Sequence, residues 1–243
     1  MLVILQAFAK EIDVALGVEC NASCPNIAGA SAPNDQAATL LTFPPLGHPP
    51  PAYAESDLRD FVKLLAAHAS PSLKVGIKLP LYTYATRFAV VISSLSSVSP
   101  SLPKADHPIS FLTAINTLGQ GLVFSEQITE VPQAVVAQKK KNGMFALPGR
   151  FGGLAGAAVH QLALGCVRSD SIEGAMLIPT CRNVHRLSGP LRESKDRSWQ
   201  SITLIGVGGV ADAAGVERMR QAGASAVVRS PLACQIVLPM MLL

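Results

Sequence analysis

The stretch VECNASCPN, Val18 to Asn26, brings a thiol and two carboxamides together at what reads as the end of a buried strand. Val18 is apolar and Cys20 can pass for it, while Pro25 cannot donate to a ladder and ends the strand. Asn21, Ser23, Cys24 and Asn26 then sit at the strand's carboxyl end, where parallel sheets that alternate with helices bind ligands. A thiol there can act as a base or nucleophile. It can equally be an inert core thiol, the commoner state of a cysteine in an apolar chain. Lys78, near the end of LKVGIKLP (Leu73 to Pro80), raises a similar choice: a lysine in a buried strand demands a partner or snorkels outward.

Two further stretches read as strands with polar or glycine-rich exits. ISFLTAIN, Ile109 to Asn116, ends in polar Asn116 and Thr117 before Gly119-Gln120-Gly121. SITLIGVGGVADAAG, Ser201 to Gly215, reads as a strand, then Gly206-Val207-Gly208-Gly209, then a helix with Asp212 in its first turn. Glycines at a helix entrance suit a phosphate held by backbone amides and the helix dipole. They do not form a dinucleotide fingerprint, and no acidic residue follows at the proper distance, which argues against NAD. ASAVVRS, Ala224 to Ser230, is a last strand, closed by Arg229 and Ser230.

The elements that must position these residues alternate along the chain. The pattern predicts a helix over 2–12, a strand over 15–20, and a long Pro-rich surface loop over 27–55. A helix capped by Ser56 follows, with Leu58, Phe61, Val62 and Leu65 on one face. Next come the Lys78 strand, a helix over 84–98 and the Asn116 strand. GRFGGLAG, Gly149 to Gly156, reads as a glycine-rich turn into another helix, and residues 182–200 as a polar surface insertion. Repeated strand–helix units predict a parallel α/β sheet, either doubly wound and open or closed as a barrel.

Composition limits the function. Of the 243 residues 49% are hydrophobic and 15% charged, with mean hydropathy +0.35, which suits strands buried on both faces. Aromatics are 5%, and the net charge of +4 is not gathered into a stripe, which argues against a nucleic-acid groove. The basic cluster Lys139-Lys140-Lys141 reads as a solvated loop. Five cysteines, an odd number without CxxC pairs, point to a reducing compartment and away from zinc. No metal is expected. The chain reads as soluble and cytoplasmic, its apolar ends being too short or wrongly flanked for a membrane span or signal.

Taken in order, NASCPN, VGIKLP, AINTLGQG, FGGLAG, IGVGGV and the AGAS-to-VVRS strand resemble the dihydroorotate dehydrogenases, most closely the soluble class that uses fumarate. The match runs from about residue 12 to 235. The resemblance implies FMN as cofactor, dihydroorotate and fumarate as substrates, a role in pyrimidine biosynthesis and a homodimer. It implies that Cys24 is the base removing a proton from C5 of dihydroorotate while hydride passes from C6 to N5 of FMN. Asn21 matches a residue touching flavin and substrate, and Asn116 with Thr117 the pair that hydrogen-bonds the substrate. Lys78 matches the lysine facing the flavin ring near N1 and O2, where charge accumulates on reduction. Ile115 matches a ring contact. Gly152, Gly208, Gly209, Arg229 and Ser230 match positions around the ribityl chain and phosphate.

The chain also departs from that pattern. The family strand that holds Asn21 is the fourth of eight, so the resemblance implies a partial (β/α)₈ barrel of about the last five units. The first three strands have no counterpart, and the last helix is cut short. Arg229-Ser230 stands where the family has Gly-Thr. A catalytically inactive, truncated remnant that binds a phosphate compound or a partner chain is therefore the alternative expectation. An enzyme acting on another reduced pyrimidine is a third, weakened by the absence of an iron–sulfur cysteine cluster.

Overall fold

Short apolar runs alternate with amphipathic ones, and the computed structural model turns them into strands and helices. It describes residues 1–23, 50–98, 106–122, 124, 151–164 and 183–229. Cys24, Ser230, the Lys139–Lys141 cluster and most of the 27–55 loop lie outside the described residues. Five parallel strands form one sheet: β1 (Leu16–Asn21), β2 (Leu73–Leu79), β3 (Ile109–Ala114), β6 (Thr203–Val207) and β7 (Ala226–Val228). Their spatial order equals their order in the chain, with no reversal. That distinguishes the sheet from doubly wound ones, whose order reverses at a switch point.

Because side chains alternate along each strand, the register divides the sheet into two unlike faces. Val75, Ile77, Leu79, Leu112, Ala114 and Leu204 are buried on one face. They share a core with helices α2 (Glu55–Ala66), α3 (Ala85–Ser96), α5 (Asn183–Glu193) and α6 (Ala213–Gln221), through residues such as Leu65, Leu95, Leu187 and Met219. The opposite face carries Glu19, Lys74, Lys78, Phe111, Thr113, Thr203 and Ile205. Gly76 lets the Phe111 ring lie flat on that face, since a Cβ there would overlap the ring. A cavity of about 310 Å³ opens at its amino end, between Lys74, Phe111, Thr203 and Ile205.

Helix α1 (Leu2–Glu11) precedes β1 as its periodicity predicts. Three local expectations change. Ser56 lies in the first turn of α2 instead of capping it; Ala54 is the cap, and the Ser56 hydroxyl bonds to Asp57. Glu55 and Asp57 supply the negative charge that this helix end favours. The polar 182–200 stretch is not a surface insertion: α5 sends Leu187 and Leu191 into the core, and Trp199 is buried beyond it. GRFGGLAG is not only a turn, because Phe151–Leu154 forms strand β5, antiparallel to β4 (Leu118–Leu122). The short helix α4 (His160–Leu164) follows it. No helix among the described residues is long and apolar enough to cross a membrane.

His107 joins three of these elements. Its Nδ1 accepts from the Ile109 N–H at 3.0 Å, and Nε2 donates to the Leu95 carbonyl at 3.2 Å. Its own N–H donates to Ser201 Oγ at 3.0 Å, and the ring stacks edgewise on Trp199. Burial lowers its pKa from 6.5, more than its backbone bonds raise it. The unfolded chain therefore binds a proton that the folded one resists. Stability should be complete above about pH 6.5 and fall as the pH drops toward the lower folded value. Urea midpoints across that window test this. His107→Gln should flatten the slope, and a variant with the wild-type slope would assign the pH dependence elsewhere.

Candidate functional site

The carboxyl ends of the parallel strands carry most of the residues singled out above. Asn21 ends β1 and lies opposite Lys78 of β2, which in turn lies opposite Thr113 of β3. Three polar side chains thus form one row across three strands. The chain beyond β3 is held by two backbone bonds, Ile115 N–H to Val207 O at 3.1 Å and Asn116 N–H to Leu79 O at 2.8 Å. The Ala114–Ile115 peptide bond, whose N–H makes the first of these bonds, is cis.

Asn116 is the hub of this edge. Its Nδ2 donates to Ser23 Oγ at 2.9 Å and to Asn21 Oδ1 at 3.2 Å, and its Oδ1 accepts from the Thr117 N–H at 2.9 Å. Both amide hydrogens are spent, so the orientation of the carboxamide is fixed by its partners. Ser23 adds two bonds of its own to Asn21 Oδ1, from N–H and Oγ, at 3.1 and 3.0 Å. Asn21 is exposed, and none of the described residues accepts a hydrogen bond from its Nδ2. That amide is free to donate to a ligand. Asn116 and Ser23, both buried, act as its mount.

Lys78 finds its partner on the same face. Its Nζ lies 3.8 Å from Glu19 Oε1, and Thr113 Oγ1 donates to the other carboxylate oxygen, Glu19 Oε2. Cys20, next along β1, turns to the opposite face and packs against the core. Burial, and then the charge of Glu19, raise its thiol pKa, which disfavours a thiolate. Cys20 is therefore a structural thiol.

The remaining residues surround the β6 turn. Gly208 and Gly209 both have positive φ, +132° and +62°. A Cβ on Gly208 would crowd Ala163 and reach Ile115, while one on Gly209 would overlap the Gly156 carbonyl. His160 Nδ1 donates to Gly208 O at 2.8 Å, and its Nε2 accepts from Arg218 Nε at 3.1 Å. Since arginine can only donate, this fixes the imidazole tautomer. The turn's glycines thus answer first to close packing within the chain.

The helix entrance after this turn already holds an anion. Asp212 is the N-cap of α6, accepting from the Gly215 N–H at 2.6 Å, with Arg218 at 3.9 Å. A phosphate approaching those amides would meet this carboxylate, contrary to the simplest reading of the glycine pair. Arg229 supplies positive charge nearby: its Nε donates to Ala211 O at 3.0 Å, and none of the described residues pairs with its Nη groups. Its φ is not positive, Asp13 being the one non-glycine residue in that region among those described. Gly152 sits apart in β5, opposite Gly121, next to Gly153, which packs against Thr117.

Asn21, Lys78, Asn116 and Thr117 are thus brought together, and Ile115, Gly208 and Gly209 form a second, adjoining group. Glu19, Thr113 and His160 were not among the candidates, and Ser23 was noted only for its place at the strand end. A glutamate inside a strand whose neighbours alternate toward the core was the signal for Glu19. Among the described residues, no group of His, Cys, Asp and Glu could hold a metal ion. No family model matches the chain, and no curated protein matches it.

Proposed function

We propose that the chain is an FMN-dependent dihydroorotate dehydrogenase of the soluble type, built on a partial (β/α)₈ barrel. The supporting observation is the polar row Asn21–Lys78–Thr113 beside the fixed Asn116 carboxamide, at the carboxyl edge of a sheet wound without reversal. The residues fit the cofactor at the ring end, and at the phosphate end Arg229 offers a cation while Asp212 already occupies the α6 entrance. Lys78 would hold the ring and Arg229, with the Gly208–Gly209 turn, the phosphate. FMN, when bound, supplies a two-electron acceptor that no side chain provides. Asn21 orients dihydroorotate through its free amide, Asn116 and Ser23 keep that amide in place, and Cys24 takes the C5 proton. Fumarate as the final acceptor, a homodimer and a cytoplasmic setting belong to the same reading.

A second reading, a non-catalytic relative that binds at most a phosphate compound or a partner chain, draws on two observations. Glu19 already pairs with Lys78, and Asp212 already fills the α6 entrance. Titrating the purified chain with FMN and then adding dihydroorotate without oxygen separates the two. The enzyme reading expects a bound flavin that bleaches, and a loss of about 10²–10⁴-fold in the bleaching rate for Cys24→Ala at neutral pH. A folded chain that binds no flavin would leave the second reading standing.

A further inference from the structure

We infer that Glu19 is a positioning residue that straps Lys78 to the sheet and, by its charge, sets how strongly the site prefers reduced over oxidised flavin. The inference rests on the flavin reading, and its geometry is independent of it.

Glu19 lies on the same face of β1 as Asn21, two residues nearer the amino end, opposite Gly76. The carboxylate reaches across β2 to Thr113 on β3 while remaining 3.8 Å from the Lys78 ammonium, and the Phe111 ring occupies the space over Gly76. One oxygen is thereby held by a hydroxyl and the other faces the cation. A lysine on an open sheet face otherwise loses its position to rotamer freedom and points to water. The Glu19 and Lys78 side chains are only 37% and 24% exposed, so solvent screens their interaction incompletely. A ligand above the row meets an ion pair fixed in place instead of a lone, mobile cation.

The consequence is a tuned electrostatic field. Two-electron reduction of FMN with uptake of one proton adds one negative charge to the ring. Lys78 favours that charge and Glu19 opposes it. The carboxylate thus holds the lysine where its charge acts while offsetting part of that charge. Neutralising Glu19 without changing its shape should shift the balance toward the reduced form.

The test compares binding of oxidised FMN with binding of dithionite-reduced FMN, anaerobically, in the wild type, Glu19→Gln and Lys78→Gln. Glu19→Gln should raise the preference for the reduced form about tenfold at an effective dielectric near 20. For a two-electron couple that is about 30 mV in midpoint potential. Lys78→Gln should move the preference the opposite way. Glu19→Met, which removes the same charge and the hold on Lys78 together, should shift the preference in the same direction but by less than Glu19→Gln, and serves if the glutamine variant does not fold. Equal weakening of both forms, with the preference unchanged, would overturn the inference while leaving the flavin reading intact. A wild-type chain that binds neither form would overturn both.

Discussion

On the proposed flavin reading, Asn116→Ala should lower the rate at which dihydroorotate bleaches added FMN by about 10²–10³-fold, the usual cost of removing a preorganised polar group from a reacting site. The reason lies in what the carboxamide holds. Its Nδ2 fixes Asn21 and Ser23, and its Oδ1 satisfies the Thr117 N–H. Truncation leaves these groups without that partner at a largely buried edge, at about 1–3 kcal/mol for each that stays unsatisfied. Urea unfolding should therefore register a loss of about 2–3 kcal/mol in total, water and Asn21 taking up the rest. Asn116→Asp sharpens the test. It keeps the acceptor for Thr117 but places a carboxylate oxygen against Asn21 Oδ1, so it should be no better than alanine. Wild-type bleaching in either variant would remove this network from the mechanism.

Gly209→Ala should cost about 2–5 kcal/mol of stability. Left-handed backbone penalises a Cβ by about 1–2 kcal/mol, and forcing an extra carbon into packed surroundings adds about 1–3. Gly209 has φ +62°, and its new Cβ would overlap the Gly156 carbonyl and come within 2.8 Å of His160 Cβ. Backbone cannot swing aside as a flexible side chain does. The β6 turn and the start of α4 must separate, taking with them the His160–Gly208 bond. Gly189→Ala is the contrasting case: beyond its chain neighbours nothing lies within 4 Å of its Cβ position, in helix α5, but Pro190 follows and disfavours a Cβ in helical backbone, so the helix-propensity gain is offset and the exchange should change stability by less than about 1 kcal/mol. Gly209→Ala should therefore melt well below Gly189→Ala. Equal shifts would show that the close approach at Gly209 is not what the turn depends on.

Both substitutions probe features that differ in how far the sequence reveals them. The parallel strands and most helices were legible because they rest on local periodicity: Leu58, Val62 and Leu65 fall on one face of α2 at helical spacing, and Pro80 ends β2 where pairing must stop. The β4–β5 hairpin was hidden, since its strands are short, glycine-rich and separated by a long segment. Helix α5 was read as surface because Gly189-Pro190 in its middle and the polar residues around it mask the spacing of Leu187 and Leu191.

The site divides along the same line. Residue types and strand ends by themselves determined that Asn21, Lys78, Asn116 and Thr117 lie at the carboxyl edge of a parallel sheet, because a strand's exit is marked locally by proline, glycine and polar residues. The choice between an isolated and a paired Lys78 was made only by the tertiary structure. Glu19 and Thr113 meet although 94 residues separate them, because strand register puts them on one face of the sheet. Shifting the register by one residue would send each of these side chains to the other face, and no local sequence rule fixes that alignment across three strands. Cys20 shows the same physics from the other side: its pleat position turns it into the core, away from the row that its neighbours Glu19 and Asn21 form.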